Sequence, residues 1–464
     1  MISKSVIKYI GETISDPQQL EEILESLLIP AKEYYLRVNL SKIPLETFKR
    51  ELTKEYEAEI LEKISYGPLE NMVQFSVSSG QDLSERKKKV YCDKFAAEAV
   101  RIGADLFVPG VTKIPNSLKE EDKCSVYLDF NNNKFLIEKV RRDIESDGEM
   151  GNIELEDLPR KFRRHFHIAN GIVKISTKEI SQKKHGIFIL NNNPKYFIPK
   201  YRDTPLYYDG YISDQNLPPN IAMAILSEKI LDKKPEDIPI EQYNPVIYDT
   251  CAAPGHKTTA LTEWLYFKTK KRFDCEKWFE IRAIDRSSNR LRHLENDITR
   301  LGLKNITVDP TNLADIKDTE PELLNMADFI MFDPPCSALG QRPKLFIEEN
   351  EKSLRDYHKN QRRLLKIVDS LLKKNGFLMY NTCTIPKEEN EGTVEYAVRK
   401  LHYELQSIGE NFKRYGEPGI KYKSIQRNDQ IQKLLRFYPS PNHGSGYFIA
   451  LLQKLEISEG VLEI

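Results

Sequence analysis

Cysteine is scarce in this 464-residue chain, tryptophan occurs twice, and 70 Lys+Arg cancel 70 Asp+Glu to a formal charge of zero. The six cysteines (92, 124, 251, 275, 336 and 383) are scattered, with no CxxC pair. That pattern argues against a disulfide framework or a zinc ribbon, shows no metal site, and leads us to expect a reducing, cytoplasmic setting. No apolar run approaches the roughly 18 residues that cross a bilayer. The opening MISKSVIKYIGETISD has neither the apolar stretch nor the small-residue cleavage site of a secretory leader. There is no internal repeat. Against these absences stand a 40% hydrophobic content, 20 Phe and 23 Tyr, enough for several cores. At roughly 150 residues per domain the length suggests three. Taken whole, the zero charge argues against nucleic acid as a partner.

By segment the charge is uneven. Residues 1–85 carry a net −6, residues 86–202 a net +8, and residues 203–464 a net −2. The middle segment holds Arg86-Lys87-Lys88-Lys89, Arg141-Arg142, and the run from Arg160 to His167 with interleaved Phe and His. Any one such run reads as a solvated face. Three in one block point to a phosphate-facing surface whose aromatics could stack bases.

The opening block reads as α/β, with Asp16-Pro17 starting the helical QQLEEILESLL, then the strand-like YYLRVNL and a helical stretch near 45–58. The basic block carries a helical stretch at 93–103 and short β-like runs, VYLDF, FLIEKV, GIVKIS and GIFIL, which suit a small barrel or sandwich. The Pro- and Tyr-rich segment 194–211 reads as its exit linker. From about 245 strands alternate with helices: PVIYDT, FEIRAID, KNITVD, ADFIMFD and GFLMYNTCTI, with amphipathic helices between. Such alternation predicts a doubly wound, Rossmann-like parallel sheet. The terminal run SGYFIALLQKL is expected as an antiparallel edge strand.

Ligands of such sheets bind beyond the carboxyl ends of the strands. Reading those ends in order gives Asp249 with Cys251, Asp285, Asp309, Asp333 and Cys383. Four acids at consecutive strand ends are poor core and suggest one shared polar ligand. The first turn, Ala252-Ala253-Pro254-Gly255-His256-Lys257, has one glycine where a dinucleotide fingerprint wants three. A turn that approaches its ligand without cradling phosphate suits S-adenosylmethionine, with Asp285 on the ribose hydroxyls and Asp309 at the adenine edge.

Asp333-Pro334-Pro335-Cys336 and Asn381-Thr382-Cys383 end neighbouring strands 47 residues apart, so the two thiols should share a pocket. Either alone is more often a buried small hydrophobe. Paired beside an acid, they suit chemistry at C5 of a pyrimidine. A thiolate adding to C6 makes C5 nucleophilic, an acid near N3 stabilises the developing charge, and the thiolate later leaves. An aromatic, not Cys336, would follow Asp-Pro-Pro in an amine methyltransferase. A thiol-redox protein or a non-catalytic RNA-binding scaffold on a methyltransferase fold are the rival readings.

The stretches DTCAAPGHKT, AIDRS, DPPCSALGQRP and NTCTIPKEEN, in this order, together with YYLRVNL and QNLPPNIAMAIL, resemble the NSUN (Nol/Nop/Sun) family of RNA cytosine-C5 methyltransferases. His256 stands where that family usually has a second glycine. The resemblance implies an S-adenosylmethionine-dependent enzyme in which Cys383 attacks and Cys336 assists adduct breakdown. It also implies that Cys251, Ala252, Ala253, Pro254, Gly255, His256, Lys257, Asp285, Asp309 and Asp333 contact the cofactor, Lys257 also reaching the base. KFAAEAVRIGADLFVPGVTKI and NGIVKISTKEI resemble a PUA domain. The implied organisation is an N-terminal α/β block (1–85) packing on the catalytic domain, a PUA insert (86–202) and the methyltransferase domain (203–464). The implied partner is the tRNA acceptor stem and CCA end docked on 86–202, with no DNA or membrane partner and a monomeric enzyme. Messenger or ribosomal RNA is the alternative substrate.

Overall fold

The structure, a computed structural model, describes all residues except 79, 132, 144–159, 181, 271–277, 441–443 and 457–464. The side chains of Arg141 and Arg142, and Cys275, lie outside the described residues.

Five parallel strands form the core of the C-terminal half. Their spatial order is Ile306–Asp309, Glu280–Ile284, Val246–Asp249, Ala327–Phe332, Leu372–Thr382. Each is an apolar run covered on both faces, as parallel strands with helical crossovers must be. Side chains alternate between two cores: Phe329 and Met331 meet the helices Leu217–Asp232 and His256–Thr269, while Ile330 and Phe332 meet the helix Glu351–Leu371. Progression outward from Val246–Asp249 runs first one way and then resumes on its other side at Ala327–Phe332. That reversal opens a crevice at the carboxyl ends of these two strands.

The terminal run is antiparallel as expected, but it is not an edge. Tyr447–Lys454 lies between Leu372–Thr382 and Leu434–Phe437, and also pairs with Tyr403–Leu405. Its sequence carries the reason: Tyr447, Ile449 and Leu451 enter one core, Phe448, Ala450 and Leu452 the other. A strand apolar on both faces needs cover on both and cannot sit at a rim.

Between them the first 85 residues contribute two separate pieces. The helices Lys4–Gly11 and Pro17–Leu27 pack on Leu339, Ile347, Leu354 and Ile385 of the C-terminal half. The strands Glu33–Val38, Ile64–Tyr66 and Met72–Ser76 form an antiparallel sheet whose fourth strand, Ile212–Asp214, comes from beyond residue 203. The 194–211 segment is correspondingly more than a tether, since Tyr201 and Leu206 enter the core of that sheet.

The basic block forms a six-stranded mixed sheet in the order Leu106–Phe107, Ile187–Pro194, His167–Val173, Lys123–Leu128, Lys88–Cys92, Val111–Lys113. FLIEKV, expected as a strand, lies in the helix Lys134–Asp143 instead. Asn133 accepts from the Leu136 N–H and starts that helix. A fully buried Leu136 between half-buried Phe135 and Ile137, with Lys134 and Glu138 exposed, suits a helix placed across a sheet better than a ladder position.

The interleaved aromatics are also not at the surface. In the helix Arg160–Phe166, Phe162 and Phe166 stand four residues apart and so share one face, which is buried, Phe166 stacking on Phe130 at 5.1 Å. His165 is held neutral by burial, its pKa pushed down to about 3, and His167 stacks on Tyr127. Part of the positive charge is neutralised locally as well, Lys88 by Asp122 and Arg164 by Asp82. The exposed aromatics of this body are Phe95, 81% accessible, and Phe107.

Candidate active site

The crevice at the strand ends holds a cavity of about 550 Å³, lined by Thr250, Cys251, Ala253, Pro254, His256, Lys257, Asp285, Asp333, Cys336 and Cys383 among others. That is an ordinary size for a cofactor pocket. The residues expected at the site reach it by two routes.

One wall is the turn after Val246–Asp249. Gly255 takes φ +105° and opens the helix His256–Thr269; a Cβ there would meet Leu294 at 2.5 Å, so glycine is demanded by both conformation and packing. His256 follows it within ordinary helical geometry, so the missing second glycine costs the turn nothing. Its Nδ1 lies 2.9 Å from the Asp214 carbonyl, and burial depresses its pKa. Behind the turn sits the fully buried Arg37 of YYLRVNL. It pairs with Glu263, bonds Gln215 and Thr259, and donates to the His256 carbonyl at 3.1 Å. The small N-terminal sheet is thereby locked to the helix that shapes the pocket.

Asp285 faces the cavity. Its Oδ2 accepts from Ala253 N–H at 3.1 Å and its Oδ1 from Ser287 N–H at 2.9 Å. A carboxylate has about four acceptor positions, so two remain for a ligand's hydroxyls. Asp249 and Asp309 do not line the cavity. Asp249 accepts from Thr258 at 2.7 Å, and burial pushes its carboxyl up to about 6. Asp309 accepts from Arg282 at 2.7 Å and from Thr311 N–H, and it is buried away from the cavity where an adenine edge was expected. Asn312 and Leu313 line the pocket there instead. Of the four strand-end acids only Asp285 and Asp333 are presented to one ligand. The other two hold the ends of their own elements. Ala252 and Gly255 likewise shape the turn from behind.

The opposite wall carries the chemistry. Cys336 Sγ and Cys383 Sγ stand 3.4 Å apart, and Gln341 Nε2 is 3.4 Å from Cys383 Sγ. The Lys257 ammonium pairs with Asp333, whose other oxygen accepts from Asn381 Nδ2 at 2.8 Å. Burial opposes the Lys257 charge, yet the Asp333 carboxylate more than offsets it and holds the lysine pKa above its ordinary value. The hydrogen bond from Cys336 lowers the Cys383 thiol pKa, against burial, and Lys257 adds to that; the same bond, together with burial, raises Cys336 well above the usual thiol range. In that contact Cys336 is disposed to donate and Cys383 to accept, so Cys383 is the more readily ionised of the two. Cys251 lines the same cavity, but burial pushes its thiol far up and leaves it neutral. Tyr447 Oη and Asn381 Oδ1 are buried and meet no hydrogen-bond partner among the described residues, so the floor keeps polar capacity for a ligand.

Gln341, Asn381 and Glu389 lie within the motifs DPPCSALGQRP and NTCTIPKEEN, but nothing in spacing alone singles them out. Asn381 is a polar residue in an apolar strand end, which was an available signal, whereas Gln341 and Glu389 lie in the loops beyond their strands and carried none. Among the described residues no group of three His, Cys, Asp or Glu could hold a metal ion, and no helix is long and apolar enough to cross a membrane.

The family model described as 16S rRNA methyltransferase RsmB/F matches residues 239–453. The tRNA (cytosine(72)-C(5))-methyltransferase of Pyrococcus horikoshii is 31% identical over 95% of this chain and 94% of its own length. The human tRNA (cytosine(72)-C(5))-methyltransferase NSUN6 is 26% identical over 95% of this chain and 87% of its own. Among solved structures, NSun6 from P. horikoshii with SFG aligns at TM-score 0.72 and 29% identity, covering 98% of this chain and 99% of that one. Shared sequence along nearly the whole chain, and a fold that carries paired thiols to the end of a Rossmann-like methyltransferase sheet, place this protein in the RsmB/F–NSUN family of RNA cytosine-C5 methyltransferases.

Proposed function

We propose that the protein transfers a methyl group from S-adenosylmethionine to C5 of a cytosine at the acceptor end of tRNA. The observation that carries the chemistry is the Cys383 sulfur held 3.4 Å from Cys336 and beside the Lys257–Asp333 pair. The tRNA substrate rests on relatives named for position 72 that match this chain along almost its full length. When bound, S-adenosylmethionine supplies an electrophilic methyl group. The cavity suits it in size and in the two acceptor positions left on Asp285, and the related structure with SFG, an S-adenosylmethionine analogue, supports the same cofactor. Cys383 Sγ forms a bond to C6 of the base, and the electron pair displaced from the C5–C6 double bond makes C5 nucleophilic. The Lys257 ammonium, held by Asp333, stabilises the negative charge on the ring while C5 takes the methyl. The C5 proton passes to solvent, the electron pair of that C–H bond re-forms the C5–C6 double bond, and the Sγ–C6 bond breaks with its pair returning to the thiolate.

The path for the RNA is a second cavity that shares Cys336 and Ala338 with the first and runs to Asp93, Lys94 and Phe95 of the basic body. Lys94 lies 4.1 Å from the centre of the Phe346 ring. This supports docking of the acceptor stem and CCA end on residues 86–202, with that body acting as a PUA domain; we further propose a monomeric, cytoplasmic enzyme. If the target cytosine is paired, it must be unstacked at a cost of a few kcal/mol.

Recombinant protein, tritiated cofactor and a tRNA transcript should give 5-methylcytosine, and a transcript lacking the acceptor stem should not. Methylation that is indifferent to that deletion, or that prefers ribosomal or messenger RNA, overturns the substrate. Phe95→Ala should weaken tRNA binding by about 1–3 kcal/mol, the worth of one stacked base, without changing cofactor affinity. Filter binding and calorimetry separate the two. Asp285→Ala should cost cofactor binding about 2 kcal/mol, roughly 30-fold in Kd, readable by the same calorimetry.

A further inference from the structure

The residues that follow the two cysteines are tied to each other. Ser337 comes after Cys336 and Thr384 after Cys383, and their hydroxyls are 2.6 Å apart across two loops. Beneath them lies Glu389, fully buried. One carboxylate oxygen accepts from Ser337 Oγ at 2.6 Å; the other accepts from Ser337 N–H at 2.9 Å and Gln361 Nε2 at 3.0 Å. Thr384 Oγ1 also accepts from Leu339 N–H at 3.3 Å, and Gln361 reaches the Pro335 carbonyl at 3.3 Å. The next residue, Asn390, holds the far loop through Thr382 Oγ1 and the carbonyls of Thr384 and Ile385. Two loops that meet only through their own strand ends would let the sulfurs drift by more than a hydrogen bond tolerates. Here the residues beside both cysteines belong to one buried hydrogen-bonded unit.

We propose that Glu389 is a positioning residue that clasps the Cys336 and Cys383 loops through Ser337 and Thr384, and so fixes the sulfur–sulfur contact on which release of the covalent RNA adduct depends. The inference rests on the cytosine methylation proposed above. Glu389 does not touch a sulfur and forms no bond in the reaction. It acts by holding the Cys336 S–H donor aimed at Cys383, where negative charge returns as the Sγ–C6 bond breaks. A buried network with every member satisfied is stiff, and removing one member leaves the others unpaired.

The test uses full-length protein, a tRNA transcript and three variants. Glu389→Gln keeps the volume but replaces one acceptor oxygen by an NH2 group that faces donors. Thr384→Val cuts the clasp from the other loop with Glu389 intact, and Thr384→Ser restores the hydroxyl. Glu389→Gln and Thr384→Val should lower kcat by about 10²-fold, as expected for misplacement on the ångström scale, with KM for tRNA falling alongside kcat because a step after methyl transfer is slowed, and with calorimetric cofactor affinity unchanged. On denaturing gels both should accumulate a covalent protein–RNA species that the wild type shows only in trace, and Thr384→Ser should return to wild-type behaviour. Wild-type kcat with no adduct in Glu389→Gln and Thr384→Val overturns the inference, as does a loss of kcat that Thr384→Ser shares. If Glu389→Gln melts at assay temperature, the Thr384 pair decides alone. A wild-type protein that makes no 5-methylcytosine in the same assay instead overturns the function, which keeps the two failures distinct.

Discussion

Cys383→Ala protein should bind tRNA and cofactor as the wild type does and methylate nothing. The change removes one sulfur at a partly exposed strand end, where no core cavity is left behind, so folding and melting temperature should hold. What it removes is the atom that bonds to C6. Without that bond C5 stays a poor nucleophile, and neither the Lys257–Asp333 pair nor the bound cofactor supplies another route. Turnover should fall by on the order of 10⁴-fold or more, the scale seen when a nucleophile is deleted from an otherwise intact site. Single-turnover assays with tritiated cofactor read this directly, and retention of even a tenth of the wild-type rate sinks the mechanism. The thiol's environment adds a pH signature. Its pKa lies below the ordinary thiol value because Cys336 donates to the anion and Lys257 faces it. The rate should therefore rise with pH and level off earlier than an unassisted thiol would allow. Lys257→Met removes a cation and leaves Asp333 facing the thiolate, so the same rise should move to higher pH.

The alternation of strands and helices from 245 onward made the sheet, its crevice and both thiols legible, because each rests on local periodicity and on one topological rule. What the sequence hid depends on contacts between distant segments. Asp309 and Asp285 end adjacent strands in the same way, yet Arg282 claims one and the cavity keeps the other. No spacing distinguishes them. Phe162 and Phe166 look like stacking platforms in a basic run until the helix they form turns both toward a core. The strand Ile212–Asp214 joins a sheet begun at Glu33, which only the pairing register reveals. Arg37 is the opposite case: an arginine in the middle of an apolar strand is conspicuous in sequence, but its role needs Glu263 and the His256 carbonyl to be in place.

Cys336→Ala should behave unlike Cys383→Ala, trapping RNA on the protein rather than leaving it untouched. The nucleophile is intact, so addition to C6 proceeds and the methyl group is transferred. The final step returns negative charge to Cys383 Sγ, and the S–H donor that stabilised that charge from 3.4 Å away is gone. Gln341 Nε2 remains at 3.4 Å, so the leaving thiolate keeps one donor of two. Losing a hydrogen bond to a charged group costs about 1.5–3 kcal/mol, which slows release by roughly 10- to 100-fold. A band resistant to denaturation should appear on gels, carry the tritium label, and vanish on nuclease treatment. The Cys336→Ala, Cys383→Ala double variant should show no such band, which fixes the attachment to Cys383. If Cys336→Ala instead releases product at the wild-type rate, the division of labour between the thiols is wrong while the attack by Cys383 stands. If its band persists in the double variant, the attacking sulfur has been misassigned. Adding Gln341→Ala to Cys336→Ala should lengthen the adduct's life further, because the last donor to the departing sulfur is then removed.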